Sequence, residues 1–248
     1  MDSAIAIPAE AEPRSSAMTA PGGRAEWLAG VLRERLWDGV YRPHQWMREA
    51  MLRAEFGLSN GPVREALQML VAEGLLERVP YCGIRVIALS AAEIVALFQL
   101  RLALLEAAAE LAALRGDEAA LGDMPRVLAQ VRQNATEPRR PAPGHLMGWL
   151  IAASGNREIA RSWDRVAGQS RLYLNEAARR AADPKTVMRC AEALVGAVAA
   201  GKPAAARKAV RALTEHQIAD LGLTLLPARA TPRGQAAKRK PTSSRRRS

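Results

Sequence analysis

The stretch from Gly57 to Ile87, GLSNGPVREALQMLVAEGLLERVPYCGIRVI, constrains this chain most, because its local signals permit few arrangements. Gly57 breaks a preceding short pattern, Ser59 offers an N-cap, and Pro62 falls in a first helical turn, where a missing amide donor costs little. Val63, Ala66, Leu67, Leu70 and Val71 then recur at helical spacing as an inward stripe. Asn60, Arg64 and Gln68 align at i, i+4 and i+8 on the opposite side, facing solvent or a groove. Gly74 closes the helix, and LLERV and IRVIA flank PYCG, so a two-stranded hairpin with a turn near Gly83 follows.

Upstream, Leu28, Val31, Leu32, Arg35 and Leu36 are spaced as a helix that the Gly39 to Pro43 stretch ends. Met47, Ala50, Met51 and Ala54 are expected on the inner face of a second, shorter helix. Three helices and a hairpin make a winged helix-turn-helix, expected over residues 24–88 behind a flexible arm at 1–23.

From Ser90 the pattern changes. Ser90 and Glu93 form a capping box for a long Ala- and Leu-rich helix reaching about Arg115, apolar around most of its circumference and therefore expected inside a bundle. Further helices are expected near 123–134, 145–154, 157–181, 185–200 and 203–222, with no strand signal between them. The expected architecture is mainly α: a winged helix-turn-helix, then an all-α bundle over 89–226. The basic run at 227–248 cannot bury a core and is expected to be disordered.

The formal charge is +11. Arg229, Arg233, Lys238, Arg239, Lys240, Arg245, Arg246 and Arg247 supply eight of those charges with no acid among them, leaving +3 for residues 1–227. The basicity is thus mainly a tail property; it favours an anionic partner there and describes the folded part poorly. The first residues lack a basic region followed by an apolar core, and no window has the roughly 20 uninterrupted apolar residues of a membrane span. Cys82 and Cys190 are the only cysteines. A soluble protein of a reducing compartment, cytoplasmic and nucleoid-associated, is expected. Without a P-loop, a dinucleotide fingerprint or a Cys/His cluster, an enzyme is the weakest reading.

The run GPVREALQMLVAEGLLERVPYCGIRV resembles the GntR family of bacterial transcription regulators. Glu49, Leu52, Gly57, Ser59, Pro62, Val63, Arg64, Glu65, Ala66, Leu67, Leu70, Glu73, Gly74, Leu75, Pro80 and Gly83 match its N-terminal pattern in register. The later helices resemble the FCD effector domain of the FadR-like branch, through RLALL, AELAAL, IAASGN and the 190–221 helix pair. The resemblance implies a homodimer that reads a palindromic operator in double-stranded DNA and responds, as a repressor, to a small carboxylate. It assigns DNA contact to Ser59, Asn60, Gly61, Arg64 and Gln68 of the reading helix, with Arg48, Arg53, Tyr81, Gly83 and Arg85 as neighbours of the backbone. Asn60 and Gly61 stand where the family has an Arg and a hydroxyl residue. Arg pairs with guanine and Asn with adenine, each good pair being worth about 1–3 kcal/mol of discrimination, so an altered site preference is expected.

FCD domains commonly hold a divalent metal with one Asp and three His. Those positions fall here on Pro143, Met147, Ala191 and Leu213, and residues 89–248 contain only His145 and His216. No metal cofactor is expected. Effector contact is assigned to Arg101, Asn156, His145 and His216, although Arg101 could equally form an ion pair within the bundle or snorkel to the surface, Asn156 could cap a helix, and lone histidines are more often exposed or structurally satisfied than joined as an atypical metal pair. The family's Glu near Arg101 falls on Leu105, with Glu106 one residue off. Trp149, Trp163 and Tyr173 read as core. An exposed inert thiol is the plainer reading of Cys82. The alternative to a sensor is a degenerate, effector-independent family member that binds DNA or a protein partner constitutively.

Overall fold

The computed structural model describes residues 23–136, 144–180 and 183–225. The expected arm, apart from Gly23, and the expected basic tail lie outside the described residues.

Helix α1 (Gly23–Trp37) buries Ala25, Leu28, Ala29, Leu32 and Leu36; of the predicted stripe Leu28, Leu32 and Leu36 are buried, and Val31 and Arg35 are half-buried. A short α2 (Glu49–Phe56) and the recognition-type α3 (Asn60–Ala72) follow across a tight turn. Gly57 caps α2 at φ 62°, in the left-handed region that favours glycine. Val63, Ala66, Leu67 and Leu70 are buried, and Asn60, Arg64 and Gln68 are exposed, as the periodicity requires. Ser59 occupies the N-cap position, but its side chain accepts no capping hydrogen bond.

The inner face assigned to α2 is a correction. Ala50, Met51 and Ala54 are exposed, and Leu52 is the buried residue of the helix. Phe56, one turn on, sets the face instead, meeting Trp27 edge to face at 5.9 Å between ring centroids. Alanines carry too little apolar area to fix the rotation of an eight-residue helix against Leu and Phe.

Strands β1 (Leu76–Val79) and β2 (Gly83–Val86) pair antiparallel with Val79 opposite Gly83, leaving Pro80, Tyr81 and Cys82 as the tip. A third segment joins this wing without any strand pattern in its sequence. His44 and Met47 donate their amides to Val86 and Ile84, Val86 donates to Gln45, and Trp46 bridges Arg85.

Helix α4 (Ala91–Arg115) begins with the expected capping box: the Ser90 hydroxyl accepts from the Glu93 amide and the Glu93 carboxylate accepts from the Ser90 amide. It is the hub of the bundle, packing on α6 (Gly144–Ser154), α7 (Arg157–Arg180), α8 (Pro184–Ala199) and α9 (Pro203–Ala219). Helix α5 (Glu118–Thr136) starts earlier than expected and carries Pro125 inside it; Gly122 and Pro125 read as breakers, yet Val127 and Val131 beyond them are buried and hold the segment helical. α4 is not buried all round: Ala96, Leu100, Ala103, Ala107 and Leu114 form an exposed stripe.

Two apolar cores result, one under α1, α3 and the wing, the other within the α4–α9 bundle. Leu172 of α7 packs on the first of them, so this helix reaches across to the N-terminal domain.

Candidate functional site

The first candidate surface is the outer side of α3. Ser59, Asn60, Gly61, Arg64 and Gln68 are all exposed there, and a Cβ placed on Gly61 would meet nothing, so the start of the helix offers bare backbone. Arg64 Nε donates to Glu49 Oε2 at 2.8 Å, which holds the guanidinium against the first turn of α2. The pair is solvated, with the Arg64 side chain 64% exposed, so it orients the side chain more than it stabilises the fold. Sequence reasoning passed over Glu49 as a partner, although it opens α2 where an acid suits the helix dipole.

Arg48 and Arg53 are exposed at the N-cap and in the last turn of α2. Tyr81 stands fully exposed at the wing tip with φ 62°, next to Cys82 and Gly83. Arg85, expected as a neighbour of the DNA backbone, is paired within the wing. Its Nε donates to Glu77 Oε1 at 2.7 Å across the ladder, and its guanidinium lies 5.8 Å from the centroid of Trp46. The register that makes Glu77 and Arg85 direct cross-strand partners accounts for this.

The second candidate lies in the bundle. Arg101 is 2% exposed and has no carboxylate partner among the described residues. Nη1 donates to Ser170 Oγ at 3.1 Å, the guanidinium stacks 4.8 Å from the centroid of Trp163, and Nε has no partner. Burial pushes its pKa down to about 9, so it is still a cation at neutral pH. A buried cation with one neutral hydrogen bond is costly, and the ion pair the sequence allowed as an alternative is not formed.

The ion pairs Glu106–Arg211, at 2.8 Å, and Glu110–Arg207, at 3.4 Å, fix α4 and α9 as antiparallel neighbours. His216 and Gln217 lie further along α9, beyond Arg211. Both carry buried unpartnered atoms, His216 Nε2 and Gln217 Oε1. Asp220 stands 3.7 Å from that imidazole, too far for a hydrogen bond. With Arg101 Nε, His216 Nε2 and Gln217 Oε1 are buried side-chain atoms without a hydrogen-bond partner, which is unusual in a finished core.

Asn156 is a helix cap: its Oδ1 accepts from the amides of Glu158 and Ile159 at 3.0 and 3.2 Å. His145 lies in α6, with its side chain outside the described residues. Met147, Ala191 and Leu213 are buried in the apolar core, and Pro143 lies outside the described residues. A thioether and two hydrocarbon side chains do not fit a hard divalent metal. Trp149 is core, its Nε1 donating to the Ala120 carbonyl at 2.8 Å. A cleft of about 490 Å³ between α5 and α6, lined by Asp117, Asp123, Arg126 and Trp149 among others, contains none of the expected effector residues. Ser170 and Gln217 gave no signal in the sequence, since a lone Ser or Gln on an amphipathic helix is ordinarily solvated.

No helix among the described residues is long and apolar enough to cross a membrane. Residues 25–86 match the family described as bacterial regulatory proteins, gntR family, and residues 96–216 match the FCD domain. The chain is 28% identical over 109 residues to the uncharacterised HTH-type transcriptional regulator YdhC of Bacillus subtilis, covering 43% of this chain and 49% of that one. It is 30% identical over 126 residues to the HTH-type transcriptional repressor GlaR of Escherichia coli, covering 51% and 50%. These matches span about half the length of either relative.

Among solved structures, a GntR transcriptional regulator from Rhodococcus superposes with a TM-score of 0.65 at 23% identity over 80% of this chain and 98% of the other. McbR/YncC of E. coli gives 0.67 at 17% identity, over 82% and 98%. Likeness at that identity speaks for the fold. Together with the two matched domains, which lie over the winged reader and the helical bundle, it places the chain in the GntR family of bacterial transcription regulators, with a C-terminal FCD domain.

Proposed function

We propose that this chain is a repressor that binds a two-fold symmetric operator as a homodimer and answers to a small carboxylate held at Arg101 without a metal. The carrying observation is the Arg101 guanidinium: fully buried, charged at neutral pH, and met only by a hydroxyl and an aromatic face. A carboxylate supplies the missing charge and two acceptors for the guanidinium fork. His216 Nε2 and Gln217 Oε1 of α9 are also buried without a partner.

Three observations support the remaining parts. The exposed Ala and Leu stripe on α4 suits a second copy of the same helix. Asn60, Arg64 and Gln68 present hydrogen-bonding groups along one side of a helix of the size a major groove admits. The E. coli relative bears the name repressor, which is the source of the sign. As a regulator the protein works by binding, in the cytoplasm and on the nucleoid, and performs no catalysis.

The test is a thermal-shift series with C2–C6 mono- and dicarboxylates on the wild type and on Arg101→Met. Selective stabilisation of the wild type that the variant lacks is the expected result. The second reading is a constitutive DNA- or protein-binding relative, favoured by the apolar residues at Met147, Ala191 and Leu213. A series in which no carboxylate stabilises the wild type selects that reading.

A further inference from the structure

Helix α7 faces two ways within two turns. Ser170 points at the buried cation, accepting from Arg101 Nη1 and donating to the Ala167 carbonyl, and Trp163 supplies the ring below the same guanidinium. The residues beside Ser170 hold the N-terminal domain. Gln169 Nε2 donates to the Gly74 carbonyl at 3.1 Å, directly after α3, and Trp37 Nε1 at the end of α1 donates to the Gly168 carbonyl at 3.0 Å. The Arg171 guanidinium lies 4.0 Å from the centroid of the Trp37 ring and 3.6 Å from Glu34. Tyr173 accepts from the Leu89 amide at 2.9 Å, and Asn175 Nδ2 donates to the Trp37 carbonyl.

We propose that α7 is the coupling element of the protein: the state of the Arg101 guanidinium is passed through Ser170 to the bracket formed by residues 168–175, which sets the placement of the reading domain and so its DNA affinity. The proposal rests on the reading of Arg101 as the anion site. A bound carboxylate competes with the Ser170 hydroxyl, because it brings the opposite charge and two acceptor oxygens that match the guanidinium fork, where the hydroxyl offers one neutral acceptor. Release of Ser170 removes the side-chain hydrogen bond from α4 to α7 and leaves the Trp163 stack and the apolar packing, along which α7 can slide. Neighbouring residues of one helix cannot move independently, so a shift at Ser170 is also a shift at Gln169 and Arg171. Packed helices move by about 1–2 Å as rigid units in such transitions. The bracket grips the end of α1 and the exit of α3, so the displacement reorients the recognition helix against its counterpart in a dimer.

A double-mutant cycle on the full chain tests this without needing the effector. DNA affinity is read by anisotropy on a labelled duplex from upstream of the chain's own gene, at fixed salt. The four proteins are the wild type, Arg101→Met, the bracket variant Trp37→Phe with Gln169→Ala, and all three substitutions combined. Arg101→Met is expected to change Kd about fivefold or more, in the range of allosteric couplings, and the change is expected to fall below about twofold when the bracket is cut. Ser170→Ala, which removes the link and keeps the charge, is expected to shift Kd in the same direction as Arg101→Met. Equal shifts in both backgrounds, or no shift from either Arg101→Met or Ser170→Ala with the bracket intact, overturn the proposal. A carboxylate series that leaves the wild-type Tm unmoved overturns the anion reading and not the cycle. An additive cycle beside a stabilising carboxylate does the reverse.

Discussion

Arg101 and Arg64 are both cations on helices, and their surroundings give them opposite consequences. Arg101 is desolvated, so its protonated form costs the folded state stability throughout the neutral range. Its folded pKa, about 9, lies well below that of the unfolded chain. Below about pH 9 both states are protonated and the cost is complete. As pH rises from there towards the unfolded value the folded chain loses its proton first, and the cost diminishes. Arg101→Met, close in volume and neutral, is expected to raise stability by about 1–4 kcal/mol at pH 7, read as a higher Tm, while abolishing carboxylate binding. With Arg101 as the anion's partner, carboxylate binding is expected to be flat between pH 6 and 8 in calorimetry, since a bound anion only raises that pKa further; a fall in affinity through that window would overturn Arg101 as the partner. Arg64 is solvated and oriented by Glu49. Arg64→Ala is expected to leave stability within about 0.5 kcal/mol of wild type and to remove about 1–3 kcal/mol of preference for the native duplex over a scrambled one.

At the scale of elements, the joint between the two domains is the sensitive place. Gly74 closes α3 at φ 73°, and a Cβ there would collide with the amide of Gln169, the group that holds this turn to α7. Gly74→Ala is expected to destabilise by about 1–2 kcal/mol from the left-handed backbone alone. It also breaks the bracket, which hydrogen exchange at residues 74–76 and 168–170 reports as reduced protection. None of this joint was legible in the sequence. The reading of α3, the hairpin and the capping box at Ser90 succeeded because each rests on signals within a dozen residues: Pro62 in a first turn, Gly74 after the last apolar residue, Glu93 three beyond Ser90. The face of α2 was misread because Ala50 and Ala54 weigh little against Phe56 packing on a helix some thirty residues upstream. The segment 44–47 joins the wing through backbone hydrogen bonds, which leave no mark on side-chain periodicity. For the same reason Arg101 was legible as a candidate through family resemblance, whereas Ser170, Trp37 and Gln169 became partners only when the chain folded back.

At the scale of the whole molecule, the proposed two-fold symmetry and the charge of the basic tail would set how strongly DNA is held. A dimer formed along the α4 stripe would cover Ala96, Leu100, Ala103, Ala107 and Leu114, and charges placed there have no partner to meet. Leu100→Glu with Leu114→Glu is therefore expected to yield a monomer in sedimentation velocity while the secondary structure by circular dichroism stays unchanged. Such a monomer loses the simultaneous grip on two half-sites, which can be worth about 100-fold or more in apparent affinity. The basic tail acts through a different physical term. Its eight cations attract any duplex, so removing residues 229–248 is expected to flatten the dependence of log K on log salt by about 0.9 for each phosphate the tail neutralises. The ratio between native and scrambled duplex should stay where it was, because counterion release carries no sequence information. Combined with Arg64→Ala, the truncation separates the two sources of binding: the point variant lowers the ratio at every salt concentration, and the truncation lowers both affinities together, most at low salt. A truncation that changed the ratio and left the salt slope intact would show that the tail reads sequence, and the division of labour between tail and recognition helix would be wrong.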